Sequence, residues 1–535
     1  MTELNRFKRY LLSIISGLLM VFSYPYTGSI PFLMFFAFIP LLLIEDNIFR
    51  KRIRSSNLFL HTYLIFLIYN VGTTWWIWFA SPGGAMFAFI INALLMSLVF
   101  QAIHITKKHV GIREGYTAFV LFWVGFEYVH YYWELSWPWL NLGNVFARHP
   151  QWVQWYSFSG VLAGTAWLLM LNLFGFFLFK NIILKRKSIK SELKLVVFYL
   201  FIVLFPLTYS IIQYVTYKEK GIKSEIVITQ PNIDPYNEKF LGKIKNQLNK
   251  IGDLADRKVT KNTDFVLAPE TALPFEFFEE EIQRLIYFHY LLDRKARWKN
   301  ASLLIGASTM RYYKHKNSRA SRKIEGGPGY YESYNSSLLI NEYNRPHFVH
   351  KSKLVLGVEK VPFSNIFPFL EELSINNGGT TGTLGIEDES QVLKSNGITF
   401  APIVCYESIY GEFITNQCKK GAELLFIITN DGWWKDTPGY KQHLALSRLR
   451  AVENRRSIAR SANTGISCFI NQRGDVIQQT KWWKKDVIRD VIYRNKDKTF
   501  YTRFGNILGA TVAYASLFLF IFSILKILKN KYLPR

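Results

Sequence analysis

Three ionisable side chains stand where short apolar runs stop. Glu270 closes TDFVLAPE, Lys351 follows HFVH in HKSKLVLGVEKVP, and Cys405 ends ITFAPIVC. Together they are a complete set for acyl chemistry. A carboxylate takes the thiol proton, the thiolate attacks a carbonyl, and an ammonium stabilises the developing oxyanion. A neighbouring cation and partial exposure can bring a cysteine pKa down from about 8.5 into the ~3.5–7.5 range. Taken alone, a cysteine in such a run is more often packing. Its chemical reading depends on the other two groups converging on it. Cys418, before KKGAE, and Cys468, inside a strand-like run, read as packing thiols. Three cysteines cannot all pair, and no ligand spacing occurs among them, so neither a disulfide framework nor a metal site is expected. His443 has no ligand partner four residues on and reads as structural.

The elements that must position these groups alternate in type. SEIVITQPN (224–232), TDFVLAPE (263–270), ASLLIGAST (301–309), YNSSLLI (334–340), ITFAPIVCYE (398–407), AELLFIITND (422–431) and ISCFINQRG (466–474) are strand-like. EEEIQRLIYFHYLLDRKAR (279–297) and YKQHLALSRLRAVENRRSIARS (440–461) have helical apolar spacing. Such alternation predicts a layered α/β fold, in which function gathers at strand ends and the loops beyond them. GGPGYYESYNSS lacks phosphate-loop spacing and reads as a loop before a strand. The arginines of LSRLRAVENRRSIAR read as a solvated helix face paired with Glu453.

Half of the 535 residues are hydrophobic, yet mean hydropathy is only +0.07. That average joins an apolar part to a polar one. Runs long enough to cross a bilayer recur near 9–24, 29–45, 57–79, 84–104, 116–136, 158–180 and 194–216, and again near 507–528. The expected organisation is a seven-helix membrane block over 1–216, a catalytic domain over 217–500, and a final crossing with a tail over 501–535. Basic clusters occupy both termini and every second connection: Arg6, Lys8 and Arg9; Arg50, Lys51, Arg52 and Arg54; Lys107, Lys108 and Arg113; Lys185, Arg186, Lys187 and Lys190; Lys529, Lys531 and Arg535. The positive-inside rule then predicts cytoplasmic termini and an extracytoplasmic domain. The net charge of +26 is thus accounted for by topology and anionic leaflet contact, without nucleic acid. Trp75, Trp76, Trp78, Trp137, Trp139, Trp152 and Trp155 gather at the far ends of these runs, as an interfacial belt or a lipid entrance. Ionisable residues inside the runs look few, so no ion path is expected.

LAPETALP, HKSKL, VCYES and TNDGWW, in that order, resemble the nitrilase superfamily. SYPYTGSIPFLMFFAFIPLL and WPWLNLGN…SGVLAGTAWLL extend the likeness to its membrane-integrated branch, the apolipoprotein N-acyltransferase family. The resemblance implies a polytopic bundle of about eight transmembrane helices joined to an α-β-β-α sandwich. It implies a triad of Glu270 as base, Lys351 and the nucleophile Cys405, with Lys351 preferred over Lys353 because it stands three before Leu354. Glu359, Tyr406 and Glu407 are implied as supports, with the Tyr406 N–H as an oxyanion donor. Asn430, Asp431, Trp433 and Trp434 match substrate loops, Trp433 and Trp434 as a lid. LVLGVE (354–359) stands where the family commonly reads LVPFGE, and Tyr236 and Phe240 are the aromatics near a position the family often fills with tryptophan.

The implied reaction moves an acyl chain from a phospholipid, expected to be phosphatidylethanolamine, through a cysteine thioester. The acceptor is the α-amino group of a diacylglyceryl-cysteine on an apolipoprotein. No cofactor or metal is implied, and the expected form is a monomer in the bacterial inner membrane with its catalytic domain in the periplasm. Two rivals are a membrane-tethered amidase that hydrolyses C–N bonds with the same triad, and a transporter or scaffold whose outer domain only binds.

Overall fold

The computed structural model describes residues 4–364 and 382–532. Arg535, counted in the C-terminal basic cluster, lies outside the described residues, as does the side chain of Lys531. The chain divides into two compact units, Met1–Trp78 with Pro82–Thr216 and Asn506–Arg535, and Phe79–Ser81 with Tyr217–Gly505.

The first unit is helical. Its main helices are Arg6–Ser23, Ile39–Arg50, Ser55–Thr74, Pro82–His109, Ile112–Val129, Tyr156–Leu178, Leu193–Thr216 and Ile507–Tyr532. Five stretches are long and apolar enough to cross a membrane: Pro31–Arg50, Pro82–His109, Tyr156–Leu184, Ile189–Thr216 and Ile507–Asn530. The other three helices carry polar and charged residues along their length, such as Arg9, Asn70 and Glu127. Ionisable residues are more numerous inside this unit than the sequence suggested. Glu45 meets Lys107 and His104, Asp46 lies 2.7 Å from Lys180, and buried Glu127 receives the Leu142 N–H at 2.9 Å and the Thr165 hydroxyl at 2.6 Å. Each partner comes from a distant segment, so the compensation that makes these groups tolerable is invisible along the chain. The tryptophans also divide. Trp75 and Trp78 are exposed, whereas Trp76 and Trp139 are buried against each other with rings 5.0 Å apart and so are no part of an interfacial belt.

The second unit holds fourteen described strands. They are β1 (Ile222–Gln230), β2 (Thr263–Leu267), β3 (Leu273–Phe278), β4 (Ser302–Tyr313), β5 (Arg322–Lys323), β6 (Tyr330–Ile340), β7 (Pro346–His350), β8 (Leu393–Ser395), β9 (Ile398–Val404), β10 (Leu424–Thr429), β11 (Ser457–Ala462), β12 (Cys468–Ile470), β13 (Val476–Gln479) and β14 (Asp486–Arg494). One sheet runs β14-β1-β2-β4-β6-β5, with β3 on β4 and β7 on β6; the other runs β13-β12-β11-β10-β9-β8.

Side-chain alternation explains the layering. Ile226 and Ile228 of β1 face Leu424, Phe426 and Ile428 of β10 in one core between the sheets. Val227, one residue out of phase, packs with Leu248, Ile251 and Leu254 of the helix Ile244–Asp256 and with Phe288 and Leu291 of the helix Ile286–Ala296. Leu425 and Ile427 pack on the opposite side with Ile414 and Cys418 of the helix Gly411–Lys419 and Leu444 and Ala451 of the helix Pro438–Asn454. Two sheets with helices outside each give the four-layer α-β-β-α sandwich. Cys418, from the helix, and Cys468, from β12, are fully buried packing thiols in this core.

Two helical runs are shorter than their spacing suggested. The run over 279–297 breaks at Leu285, between a short 3-10 turn, Glu279–Arg284, and the helix proper. The run over 440–461 stops at Asn454, where Arg455 takes φ 50°, and SIARSA becomes β11. β11 is flanked by β10 and β12, and tertiary pairing overrides its helical periodicity. The arginines of the run do not form a solvated face. Arg450 pairs with Glu453 as expected, at 2.9 Å, but Arg450, Arg456 and Arg460 are all buried.

Candidate active site

β2 lies parallel to β1 and β4, and β10 lies parallel to β9 and β11. The C-terminal ends of these strands supply the loops that carry the reactive groups, as is usual for α/β sheets. Glu270 lies just beyond β2. A Cβ on Gly306, in β4, would come within 2.5 Å of the Glu270 Cα, so only glycine lets the carboxylate-bearing loop cross the sheet at this depth.

Lys351, directly after β7, is buried between two acids. Its Nζ lies 3.2 Å from Glu270 Oε1 and 2.9 Å from Glu359 Oε1. Asn335 of β6 donates through Nδ2 to the same two oxygens, at 2.8 Å each. The Asn430 N–H donates to Glu270 Oε2 at 3.0 Å. Burial works against the charge on Glu270, but Lys351, Lys239 and Asn335 outweigh it and hold the carboxyl below its usual range. Burial likewise opposes the Lys351 ammonium, and Glu359 and Glu270 reverse that, raising its pKa. Both groups are therefore ionised at neutral pH.

The LVLGVE segment closes tightly despite its departure from the family pattern. Gly357 takes φ 81°, and the Val355 N–H donates to Glu359 Oε2 at 2.8 Å. That turn returns Glu359 to Lys351. Lys353 points elsewhere, with its ammonium 5.6 Å from the Tyr410 ring.

Cys405 follows β9 with φ 51°, an uncommon conformation for a side chain of its type. Its carbonyl accepts the Ser408 hydroxyl at 2.8 Å and faces His443 Nε2 at 3.1 Å, which fixes the turn. Glu407 joins this turn to the Lys351 loop. It accepts the Val404 N–H at 2.8 Å through one oxygen and the Ser352 N–H at 2.6 Å through the other. Burial pushes its pKa up to about 7, against those bonds. Cys405 is not acidified by its neighbouring cation. Burial, with Glu270 and Asp431 adding to it, raises the Cys405 pKa above the ordinary thiol value although Lys351 opposes them. At neutral pH the site therefore holds Cys405 as a thiol and Glu270 as a carboxylate that interacts with it electrostatically.

Behind the cysteine, Arg460 pairs with Asp431 Oδ2 at 2.5 Å, and Asp431 Oδ1 lies 2.9 Å from His443 Nδ1. Cys405 Sγ, the Asp431 carboxylate and a His443 ring nitrogen fall within 4.8 Å of one another, a spacing that could suit a metal ion. The carboxylate is already neutralised by a buried guanidinium, however, and a cation would have to displace it. The arrangement suits a charged support for the Cys405 turn. His443, read from sequence as structural, is part of it.

The remaining candidates lie around this centre. Tyr236 is exposed, donates its hydroxyl to the Trp433 carbonyl at 2.8 Å, and meets the Trp433 ring edge-on at 5.3 Å. Trp434 meets the His443 ring at 5.6 Å, Tyr406 is buried against Tyr410 at 5.4 Å, and the Phe240 ring lies 5.8 Å from the Lys239 ammonium. Asn335, Lys239 and Arg460 were missed from sequence. Arg460 had little signal: SIARSA has one β-branched residue, Ile458, and keeps helical phase with the run before it.

The Asp431–Arg460 pair gives a first expected result. Both side chains are fully buried, and Asp431→Asn leaves a guanidinium without its counterion, at a cost of about 3–5 kcal/mol. Burial alone would raise the Asp431 pKa, but Arg460 and His443 bring it down to about 2. Because the folded value is depressed, the stabilisation is present above the ordinary aspartate pKa and is lost as pH falls from about 4 toward 2. Thermal midpoints of wild type and Asp431→Asn should therefore differ most near neutrality and converge in acid. A pH-independent gap would show that the charge on Asp431 contributes nothing.

Two family models match the chain: apolipoprotein N-acyltransferase N-terminal domain over residues 16–174, and carbon-nitrogen hydrolase over 228–496. Among curated relatives, an apolipoprotein N-acyltransferase of Chlorobaculum tepidum is 29% identical over 92% of each chain. The same-named protein of Geobacter metallireducens is 26% identical over 95% of this chain and 94% of its own, and that of Haemophilus influenzae is 25% identical over 99% and 97%. Among solved structures, Nit3 of Saccharomyces cerevisiae, a nitrilase-superfamily member, overlays at a TM-score of 0.36 with 14% identity, covering 51% of this chain and 91% of its own. A hydrolase match over half the chain, joined to the N-terminal match and to relatives aligned along nearly the whole length, places the chain in the carbon-nitrogen hydrolase family, within its membrane-integrated apolipoprotein N-acyltransferase branch.

Proposed function

We propose that the protein transfers an acyl chain from a membrane phospholipid, by way of a thioester on Cys405, to the α-amino group of an N-terminal diacylglyceryl-cysteine on an apolipoprotein. The observation that carries this reading is the buried Glu270–Lys351–Glu359 cluster at the same sheet ends as the Cys405 turn, in a chain whose N-terminal portion matches the N-acyltransferase model. In the first half-reaction Glu270 takes the Cys405 proton and the sulfur attacks the ester carbon. Lys351 and the Tyr406 N–H stabilise the oxyanion. The C–O bond then breaks, and Glu270 returns the proton to the departing lysophospholipid oxygen. In the second, the neutral amine attacks the thioester, Glu270 receives its proton, and the C–S bond breaks as the thiolate is reprotonated.

Donor and acceptor share one leaflet in this reading, so neither is drawn into water at about 0.8 kcal/mol per CH₂. The eight helices of the first unit act as eight crossings of the bacterial inner membrane, with both termini cytoplasmic and the site periplasmic. Phosphatidylethanolamine is the proposed donor, the working form is a monomer, and Tyr236, Phe240, Trp433 and Trp434 form an aromatic margin that limits water at the thioester. Purified protein incubated with acyl-labelled phosphatidylethanolamine should carry a hydroxylamine-labile label on Cys405, discharged by a diacylglyceryl-cysteine peptide. Ammonia release from simple amides without a labelled protein would favour the amidase.

A further inference from the structure

One buried cation of the site has no part in that scheme. Lys239 lies in the loop after β1, is only 4% exposed, and donates through Nζ to the Glu270 main-chain carbonyl at 3.2 Å. The loop around it is built. The Lys239 N–H donates to the Asp234 carbonyl at 2.9 Å, and the Lys239 carbonyl accepts Gln247 Nε2 at 2.9 Å from the helix Ile244–Asp256. Its ammonium interacts electrostatically with Glu270 and Cys405. A buried ammonium with two acids already served by Lys351 is costly unless it serves the chemistry.

We infer that Lys239 is a positioning residue of the acyl-forming half-reaction, a second cation that tethers the Glu270 main chain and keeps the Glu270–Cys405 pair poised for proton transfer. The inference rests on the proposed roles of Glu270 and Cys405. Lys351 sits between the two carboxylate side chains, where an oxyanion also needs it. Lys239 approaches Glu270 from its backbone side and stays in place when Lys351 turns to the oxyanion, so Glu270 remains ionised until it takes the thiol proton. Burial lowers the Lys239 pKa to about 8, which leaves it charged at neutral pH but close to neutralisation. The other charged groups around the pair are Lys351, Glu359 and Asp431, with Arg460 and His443 behind Asp431 and Glu407 behind the Cys405 turn.

The test is the pH dependence of Cys405 alkylation by iodoacetamide, read by mass spectrometry on the full-length detergent-solubilised protein. Lys239→Gln retains a donor for the tether and removes the charge, whereas Lys239→Arg retains both. The alkaline-side midpoint, set by Cys405, should rise by about one pH unit in Lys239→Gln, with alkylation at pH 7 slowed roughly tenfold, and should stay near wild type in Lys239→Arg. An unchanged midpoint in Lys239→Gln, or an equal loss in both variants without a shift, would reduce Lys239 to packing and overturn the inference. Because this readout needs no lipid, its failure is distinguishable from failure of the proposed reaction, which a missing thioester from phospholipid would show separately.

Discussion

Cys405→Ala is expected to form no acyl-enzyme and to lose transfer activity by a factor on the order of 10⁴–10⁶, while folding normally. The loss is large because no other group can replace the sulfur. Cys418 and Cys468 are fully buried in the core between the second sheet and its outer helices, and burial raises their pKa values to about 11 and about 12. The fold should persist because the groups that hold the turn bind the Cys405 carbonyl, not its sulfur. Alanine also meets a comparable backbone penalty at φ 51°. Intact-protein mass spectrometry after incubation with phospholipid checks the adduct, and a thermal melt checks the fold. Transfer by a stable Cys405→Ala protein would remove the nucleophile assignment and leave a direct, single-step displacement to explain.

The resting state makes this prediction sharper than the sequence could. From sequence, a cation near a cysteine suggests a standing thiolate. In the structure, Cys405 is enclosed, and burial with two nearby carboxylates outweighs Lys351. A protonated sulfur beside an ionised Glu270 suits an enzyme that must ignore adventitious electrophiles until an ester is bound. What the sequence did convey were properties of short stretches: apolar runs that stop at Glu270, Lys351 and Cys405, and alternation that sorts Ile226 and Ile228 from Val227 into different cores. What it hid were relations between distant segments. Asn335 bridges Glu270 and Glu359 from a strand whose own pattern says only that it is buried, and Lys239 reaches Glu270 across 31 positions. Arg460 shows a different failure. Its run keeps helical phase with the preceding helix, and only the left-handed turn at Arg455 and pairing on both edges make it a strand.

The same logic of compensated charge sets a second large stability effect, at Lys351. In Lys351→Met, Glu270 stays buried and Glu359 partly buried with Asn335 between them, and no described cation reaches both side chains. Removing one partner of such a network costs about 3–5 kcal/mol, and proton uptake by one of the acids is the route by which the site limits that cost. Glu270 is then no longer a ready base, and the oxyanion has lost its ammonium, so acyl-enzyme formation should fall by a factor on the order of 10³ or more. Arginine should not rescue it, because a planar guanidinium differs in shape and reach from an ammonium seated between two oxygens at 3.2 and 2.9 Å. The double variant Lys351→Met/Glu359→Gln separates the two losses. Neutralising Glu359 relieves the like-charge burial and should recover much of the thermal stability, while acyl-enzyme formation stays low because the oxyanion is still unserved. Recovery of both together would make Lys351 a structural counterion and transfer its proposed catalytic role to another cation of the site.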